Sequence, residues 1–173
     1  MSDFFQRVSN ELQCKRVFMT SAYSLMYELA EAGLARGLRG VFAPNSAILT
    51  GGGTKGMVLP ENDMEVIREF LGVDEIQEGY GMSEISAFHW ACREGRYHVQ
   101  PWVIPFLLDP DTSKPLPRSG RQTGRAAFYD VFNQSHWGGI ISGDEITIDW
   151  DTPCPCGLTS IPIEHDIIRY CEK

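Results

Sequence analysis

The sequence has no apolar run long enough to cross a bilayer, and residues 1–7 have no basic stretch that leads into an apolar one. The first absence argues against a transmembrane helix and the second against a secretory signal. Positive charge is scarce, with 15 Lys and Arg against 23 Asp and Glu and a net charge of −8. So acidic a chain is not expected to bind nucleic acid or anionic membrane surfaces. We therefore expect a cytoplasmic protein without nucleic-acid or membrane partners.

Internal repeats and low-complexity tracts are also absent, and 173 residues with 43% apolar content suit one domain, or one domain and part of another. The pattern of the chain changes near Glu94-Gly95. Before this point, helical and strand patterns alternate, whereas after it short β-rich runs are interrupted by Pro and Gly. We therefore predict an α/β part over residues 1–94 and a β-rich subdomain over residues 95–173.

Helices alternate with strands in the first part. The apolar spacing predicts helices over residues 21–35 and 62–71, and strands over residues 47–50 and 73–77. Ser21 is a candidate N-cap for the first helix, and Asn62 with Glu65 forms a candidate capping box for the second. Because strands that alternate with helices usually pair in parallel, this order predicts a parallel sheet covered by helices.

Short strands dominate the second part. The strand-like runs cover residues 98–104, 106–108, 124–132 and 145–150. Residues 145–150 alternate between polar and apolar side chains, which predicts an antiparallel strand with one solvated face. Several short strands separated by turns favour a small barrel or sandwich. The predicted fold class is therefore α/β, with a parallel-sheet layer followed by a small barrel-like β subdomain.

One hexapeptide carries several groups that could bind a nucleotide: Gly79-Tyr80-Gly81-Met82-Ser83-Glu84. Its aromatic ring could stack on a base, its glycines could let the backbone approach a phosphate, and its oxygen ligands could hold Mg²⁺. It follows a predicted strand, and the carboxyl ends of strands are where open α/β sheets bind ligands. The alternative interpretation is an ordinary strand-to-helix turn with a buried tyrosine.

A glycine-rich loop follows the strand at residues 47–50: Thr50-Gly51-Gly52-Gly53-Thr54-Lys55-Gly56. Without Cβ atoms, this backbone could lie directly against a nucleotide or an acyl group. The spacing is not that of the P-loop, GxxxxGK[ST]. We expect the loop to share a sheet edge with Tyr80, although a flexible turn is the alternative.

The five cysteines are an odd number, which disfavours a disulfide framework in a chain without a signal peptide. Four side chains form a candidate zinc site instead: Cys92, His98, Cys154 and Cys156. Three thiolates and one imidazole make up a closed structural zinc site, which leaves no open position for catalysis. One alternative is that Cys92 is a buried thiol and His98 an ordinary strand residue, and another is that His89 is the nitrogen ligand. A redox or acyl-acceptor role for Cys154 or Cys156 has poor support.

These motifs together resemble the AMP-forming adenylating enzymes, the superfamily of acyl-CoA synthetases. The resemblance is strongest to the phenylacetate-CoA ligase-like branch and to the acyl-protein synthetases of the bacterial luciferase type. It rests on Tyr80 to Glu84, Gly51 to Gly53, Gly143-Asp144, the run Cys154-Pro155-Cys156-Gly157, and residues 167–170 near the expected interdomain hinge. It implies that the chain is the second half of an adenylating-enzyme large domain.

The resemblance also implies roles for individual residues. Tyr80, with Gly81 beside it, would stack on adenine, and Ser83 and Glu84 would meet the α-phosphate and Mg²⁺. The ribose hydroxyls would bind Asp144, and Arg169 would approach the ribose. The loop Gly51-Gly52-Gly53 would flank the acyl-adenylate. The implied reaction joins a carboxylic acid to ATP as acyl-AMP and then transfers the acyl group to CoA or to a protein thiol, with ATP, Mg²⁺ and structural Zn²⁺ as cofactors.

Two parts of the family pattern have no counterpart in these residues. Nothing before Tyr80 matches its hydroxyl-rich phosphate loop ending in Lys, and the sequence stops near the start of its C-terminal lysine domain. We therefore expect no adenylation by this chain alone, and expect it to associate with itself or with the absent enzyme parts. The alternative from another functional class is a non-catalytic binding or interaction module whose fold is held together by zinc.

Overall fold

The computed structural model describes residues 2–52, 57–135 and 137–169. The chain divides into two units, residues 1–78 and 79–173. The change of sequence pattern at Glu94-Gly95 lies inside the second unit. No helix in the described ranges is both long and apolar enough to cross a bilayer.

The first unit is a helical layer on a parallel strand pair. Its elements are helix α1 (Ser2–Arg7), a π-helical turn (Val8–Leu12), strand β1 (Phe18–Ala22), helix α2 (Tyr23–Leu34), strand β2 (Ala47–Gly51) and helix α3 (Asp63–Leu71). Strands β1 and β2 pair in parallel, from Phe18 opposite Ala47 to Ala22 opposite Gly51. This pairing confirms the predicted parallel layer, although β1 and α1 were not predicted from the sequence.

The core of the first unit forms where α2 and α3 pack together. Met26 and Ala30 of α2, and Ile67 and Phe70 of α3, are almost fully buried. Gly33 is essential to this contact, because a Cβ atom at its position would overlap the ring of Phe70. On α3, Ile67 and Leu71 are buried as the apolar spacing predicts. On α2 the spacing places Leu25 on the same face as Met26, but Leu25 is 46% exposed, so the apolar face predicted for α2 is only partly correct.

The helix starts differ from the sequence prediction. The N-cap of α2 is Ala22, and Ser21 uses its hydroxyl to bond the carbonyl of Ala22 rather than to cap the helix. Asn62 is the N-cap residue of α3 but makes no side-chain capping hydrogen bond. The predicted end of α3 is clear, because Gly72 at its C-cap has a φ of 78°, which glycine adopts without strain.

The second unit is an open sheet of short strands. Its strands are β3 (Gln77–Gly81), β4 (Phe88–Ala91), β5 (Tyr97–His98), β6 (Val103–Leu108), β7 (Arg121–Asp130), β8 (Gly139–Asp149), β9 (Pro162–Ile163) and β10 (Ile168–Arg169). The order is β3-β4-β5-β9-β8-β7-β6, with β10 beside β8, and the registered pairs are antiparallel. The predicted fold class is confirmed, with an open sheet in its β-rich half.

The core of this unit is an apolar cluster that includes residues of β6, β7 and β8 and single residues of β3, β5 and β9. Ile146 and Ile148 are buried, as the alternating pattern predicts, but Thr147 between them is buried as well, so the prediction of one solvated face is wrong at Thr147. Thr147 is accommodated because its hydroxyl shares a 2.7 Å hydrogen bond with the hydroxyl of Thr123 on β7. Packing on both faces therefore overrides the alternating pattern here.

Candidate adenylate site and metal cluster

The hexapeptide begins inside strand β3 rather than after it. Gly79-Tyr80-Gly81 pairs with β4, with Tyr80 opposite His89, whereas residues 73–76 are not a strand. The sequence prediction was therefore shifted by a few residues along the chain. Ser83 and Glu84 lie in the turn that follows β3, so these two side chains are at the carboxyl end of the strand, as expected.

The ring of Tyr80 lies inside the core of the second unit. It is 9% exposed, and its centroid is 6.0 Å from His89, 6.0 Å from Tyr97 and 6.1 Å from Phe128. Burial, and then the nearby carboxylate of Asp144, raise the pKa of the Tyr80 hydroxyl well above its ordinary value. Tyr80 therefore stays protonated and acts as a hydrogen-bond donor.

The carboxylate of Asp144 receives that hydrogen bond. The Tyr80 hydroxyl donates to Oδ2 of Asp144 at 2.8 Å, and the hydroxyl of Ser142 donates to the same oxygen at 2.7 Å. The guanidinium Nε of Arg169 is 3.4 Å from Oδ1. Asp144 is 6% exposed, whereas the Arg169 side chain is 68% exposed. The structure thus brings together three residues predicted separately from the sequence, with Arg169 on the solvent side.

The two glycines of β3 have a packing role. The ring of Phe88 on β4 lies across both positions, so that a Cβ atom at Gly79 would overlap it and a Cβ atom at Gly81 would be 2.6 Å from its Cδ2. Tyr80 points to the opposite face of the strand from these glycines. The absence of side chains at residues 79 and 81 therefore serves an aromatic contact, a role that the sequence analysis missed.

A polar cleft of about 360 Å³ lies beside the turn after β3. One wall is formed by residues 83–86, and the other by residues 132–135 of the loop between β7 and β8. Within the first wall, the Ser83 hydroxyl donates to Oε2 of Glu84 at 3.2 Å. The structure therefore places both residues of the predicted phosphate- and magnesium-binding pair at the edge of an open cleft.

Asp130 ties the two walls of this cleft together. Its Oδ2 accepts hydrogen bonds of 2.6 Å from the backbone N–H and from the hydroxyl of Ser86, and its Oδ1 accepts one of 2.9 Å from the N–H of Phe132. Burial alone would raise the pKa of Asp130, but these hydrogen bonds outweigh it and hold the pKa below its ordinary value. A charged, fully bonded carboxylate thus fixes the spacing of the walls.

The glycine-rich loop is described only in part. Gly51 is the last residue of β2, and Gly52 is exposed with a φ of 78°, a conformation that favours glycine. Gly53 lies outside the described residues. Thr50, the residue before Gly51 in β2, has a buried hydroxyl with no hydrogen-bond partner among the described residues. The proposed contact of this loop with an acyl-adenylate stays a prediction.

The four residues predicted to bind zinc come together in the second unit. One ligand atom from each of Cys92, His98, Cys154 and Cys156 lies within 4.8 Å of every other. Sγ of Cys92 is 3.8 Å from Sγ of Cys154, and Sγ of Cys156 is 3.3 Å from Nε2 of His98. Two sulfurs on a tetrahedral zinc, with bonds of about 2.3 Å, are ~3.8 Å apart. The cluster therefore fits a Cys₃His metal site.

Hydrogen bonds to the ligands support this cluster. His98 Nδ1 is 3.0 Å from the hydroxyl of Ser160, a contact that orients the ring with Nε2 toward the sulfurs. The backbone N–H of Leu158 donates to Sγ of Cys156 at 3.4 Å, in a knuckle where Gly157 has a φ of 90°. His89, the alternative nitrogen ligand, is outside the cluster; its Nδ1 accepts the N–H of Gln100 instead.

The thiols of the cluster have unequal acidity. Burial would raise the pKa of Cys92, but hydrogen bonds from backbone N–H groups of Glu94 and Arg96, and from the two other thiols, lower it below the ordinary value. The pKa of Cys154 is raised above its ordinary value, mainly because the thiol is buried. Cys92 is thus more readily a thiolate than Cys154.

Sequence reasoning missed four supporting residues, Ser86, Phe88, Asp130 and Ser142. Ser142 could have been found, since a serine two residues before an aspartate often bonds it locally; here the Asp144 N–H also donates to the Ser142 hydroxyl at 3.1 Å. Asp130 lies 44 residues from Ser86, and no local pattern predicts that pair.

No protein-family model matches the chain, and no curated protein matches it significantly. Solved structures share its fold. The luciferase-like enzyme from the nonluminescent Zophobas morio mealworm is 15% identical with a TM-score of 0.58, over 97% of this chain and 41% of that one. ATP-bound MatB from Rhodopseudomonas palustris is 16% identical with a TM-score of 0.53, over 94% and 32%. The amide bond synthetase McbA from Marinactinospora thermotolerans is 17% identical with a TM-score of 0.53, over 97% and 37%.

This chain therefore spans about a third to two fifths of the length of these solved structures. Sequence identities of 15–17% show a common fold and leave activity to be argued from the site. The chain has the fold of one portion of the luciferase-like, MatB and amide bond synthetase structures.

Proposed function

We propose that this chain carries the adenylate-binding part of an AMP-forming acyl ligase. The single observation behind the proposal is the hydrogen bond from Tyr80 to Asp144, in a segment whose Ser83 and Glu84 line an open cleft. The shared fold supports it, since a structure with that fold holds ATP and another belongs to an amide bond synthetase. The non-catalytic module leaves both the shared fold and the Tyr80 to Glu84 motif without explanation, and we do not favour it.

In the proposed reaction, a carboxylate oxygen of the substrate attacks the α-phosphorus of ATP. The bond from that phosphorus to the bridging oxygen breaks, pyrophosphate leaves, and acyl-AMP remains. A thiol of CoA or of a protein then attacks the acyl carbon, and AMP leaves as the thioester forms. Such catalysis depends on positioning and on neutralisation of charge.

Asp144 would accept hydrogen bonds from the ribose hydroxyls of the nucleotide. Its Oδ2 is held by Tyr80 and Ser142 inside the protein, while its Oδ1 faces the exposed guanidinium of Arg169. A ribose that reaches Oδ1 would displace or share the Arg169 contact. The hydroxyls of Tyr80 and Ser142 would keep the carboxylate oriented for this contact.

Tyr80 would act through its ring as well as through its hydroxyl. With 9% of the residue exposed, adenine could stack only on the part of the ring at the edge of the core, unless the neighbouring rings move. The hydroxyl bond to Asp144 gives Tyr80 a positioning role that needs no movement. Gly81 would continue the strand beneath the base.

Ser83 and Glu84 would contact the α-phosphate and a bound Mg²⁺, because hydroxyl and carboxylate oxygens are the ligands that Mg²⁺ prefers. Gly51, Gly52 and Gly53 would flank the acyl-adenylate. We expect no adenylation by this chain alone, since these 173 residues contain no hydroxyl-rich loop ending in Lys before Tyr80 to hold the outer phosphates. Groups outside these 173 residues would supply the positive charges that hold the outer phosphates.

Zinc would have a structural role in this proposal. Three sulfurs and one imidazole fill a tetrahedral zinc, so no position remains for a substrate. Cys92 follows β4, whereas Cys154 and Cys156 follow β8, so the ion would fasten two separate strands of the sheet. Coordination of the ion would hold β8, and with it Asp144, in place.

The experiment that tests the proposed function is a calorimetric titration of the purified chain with AMP, with and without Mg²⁺. We expect saturable binding that falls about tenfold or more in Asp144→Asn, because a charged acceptor is lost. The matched control is Asp109→Asn, since Asp109 lies in a turn outside the cleft. A folded chain that binds no AMP would refute the proposal. Formation of pyrophosphate by this chain alone would refute its predicted inactivity.

A further inference from the structure

We propose that the cleft between residues 83–86 and 132–135 binds the acyl group, and that it selects a compact carboxylic acid carrying hydroxyl, amide or amino groups over a long alkyl acid. The inference rests on the proposed function. It adds a substrate class and a second wall, the loop between β7 and β8, to the residues that the sequence singled out.

The cleft lies next to the proposed α-phosphate contact. Ser83 and Glu84 form part of its first wall. In an acyl-adenylate, the acyl group is bonded directly to the α-phosphate, so a cleft beside the α-phosphate contact is within reach of a group bonded to that phosphate. Two groups satisfy that condition during the reaction, the acyl group and the departing pyrophosphate.

Charge decides between these two groups. Of the eight described residues that line the cleft, Glu84 alone carries a charge, and it is negative. Pyrophosphate has several negative charges and needs Lys, Arg or more than one metal ion around it. An acyl group has no charge of its own and does not need them. The cleft is therefore suited to the acyl group.

The polarity of the lining decides which acyl group fits. Six of the eight residues have hydroxyl, amide or carboxylate side chains: Ser83, Glu84, Ser86, Asn133, Gln134 and Ser135. Of the two apolar ones, Ile85 is 6% exposed, so it offers little surface, and Phe132 is 64% exposed. A long alkyl chain would strip water from these polar groups without bonding them, which costs free energy.

Phe132 provides one flat apolar surface in this polar cleft. Its ring stacks on Trp102, with centroids 5.5 Å apart and planes 23° apart, so the ring is supported from one side. The cleft volume of about 360 Å³ is at the small end of the range for small-molecule sites. A short or planar acid with polar substituents matches both features.

The spacing of the walls is fixed rather than adaptable. The buried Asp130 bonds Ser86 of one wall and the N–H of Phe132 at the start of the other. Within the second wall, Oδ1 of Asn133 accepts the N–H and the hydroxyl of Ser135 at 3.1 and 3.2 Å. A cleft with such internal bonds selects ligands by shape and hydrogen bonding.

The test compares two non-reactive acyl-adenylate analogues, hydroxybenzoyl- and decanoyl-sulfamoyl adenosine, with AMP as the reference, in titrations of the full chain. We expect the hydroxybenzoyl analogue to bind about tenfold more tightly than the decanoyl analogue, which corresponds to one or two added hydrogen bonds. Gln134→Leu should reduce or reverse this ratio. The matched control, Gln6→Leu on the exposed surface of α1, should keep it.

The outcomes separate this inference from the proposed function. If AMP binds but the two analogues bind equally, or the decanoyl analogue binds more tightly, the cleft does not select polar acyl groups and the inference is overturned. If Gln134→Leu leaves the ratio unchanged, and Phe132→Leu does also, the loop between β7 and β8 is not the second wall. If AMP does not bind a folded chain, the proposed function fails and this inference fails with it.

Discussion

The hydroxyl of Tyr80 and the carboxylate of Asp144 are joined by a 2.8 Å hydrogen bond across 64 residues of sequence. Their strands, β3 and β8, are not neighbours in the sheet, since β4, β5 and β9 separate them in the strand order. The bond therefore exists only because the sheet curves enough to bring the two side chains together. It links the residue proposed to meet adenine with the residue proposed to meet ribose.

The first prediction concerns this bond. Tyr80→Phe removes a buried donor to a charged acceptor, so we expect a loss of about 1.5–3 kcal/mol in the free energy of unfolding. Equilibrium urea unfolding measures it. Tyr129→Phe is the matched control, because Tyr129 is 37% exposed, and it should change stability by less than about 0.5 kcal/mol. Equal effects of the two variants would mean that the bond to Asp144 does not stabilise the fold.

The second prediction concerns metal. Chain purified without added zinc should contain about one zinc ion per molecule by elemental analysis, and a chelator should lower its melting temperature. Cys154→Ser should lose the metal. Cys14→Ser should keep it, because Cys14 is an exposed free cysteine in the first unit, outside the cluster. A folded, metal-free wild-type chain would exclude the zinc site.

The third prediction is a loss of stability in acid through His89. This fully buried ring has a pKa lowered by burial to about 4, against an ordinary value of 6.5. Between these two values the unfolded chain binds a proton that the folded chain does not. Stability should therefore be present above pH 6.5 and decrease as the pH falls toward 4, by about 3 kcal/mol in all.

The measurement compares wild type with His89→Phe in urea unfolding at pH 7.5 and pH 5. The comparison cancels the acid sensitivity of the metal cluster, since both proteins keep it. We expect the free energy of unfolding of His89→Phe, relative to that of wild type, to be larger at pH 5 than at pH 7.5. His165→Phe, a substitution at an exposed ring, should not reproduce this. A pH-independent difference for His89→Phe would show that His89 is not held neutral.

The fourth prediction concerns the glycines of β3. Gly79→Ala places a methyl group in the ring of Phe88, so it should destabilise the chain, and the loss should be smaller when Phe88→Ala is also present. Gly143→Ala is the control, because no atom lies within 4 Å of a Cβ atom at that position. Additive effects of the Gly79 and Phe88 substitutions in a double-mutant cycle would contradict the packing role.

The fifth prediction concerns association of the chain with itself. Ile104, Tyr129, Trp137 and Ile141 form an exposed apolar patch on β6, β7 and β8 and the loop before β8, with exposures of 37%, 37%, 76% and 50%. Ile104 on β6 is opposite Tyr129 on β7, and the Trp137 ring centroid is 5.7 Å from that of Tyr129. Ile141 on β8 is opposite Ala127, which is two residues before Tyr129 on β7. The exposed apolar area is on the order of 400 Å², the size of the largest patch on a typical monomer, which is often functional.

A second copy of the chain is the occupant that we expect for this patch. The patch has no charged residue, so two copies can meet there despite a net charge of −8. Light scattering should show a mass that rises with concentration, and Ile141→Lys should reduce it. Val58→Lys, at a fully exposed position of the first unit, should not. A monomer at every concentration would overturn this expectation.

Local patterns predicted much of the secondary structure. The helices at residues 21–35 and 62–71 and the strand at 47–50 were found because apolar spacing and turn residues act over short distances. The strand Phe18–Ala22 was missed because its residues run directly into the helix that begins at Tyr23, with no turn between them. The capping role of Asn62 was wrong because Asn62 does not adopt the extended conformation of a typical N-cap.

The sequence by itself determined which chemical groups are present: three thiols and an imidazole, the Tyr80 to Glu84 motif and a Gly-Asp pair. Residue types and short spacings were enough to predict these, because they limit which metals and ligands can bind. Only the tertiary structure decided that Tyr80 is buried against Asp144, that Phe88 covers the glycines, and that Asp130 fixes a polar cleft beside Ser83. Such contacts join strands far apart in the chain, and their geometry depends on the curvature and packing of the whole sheet.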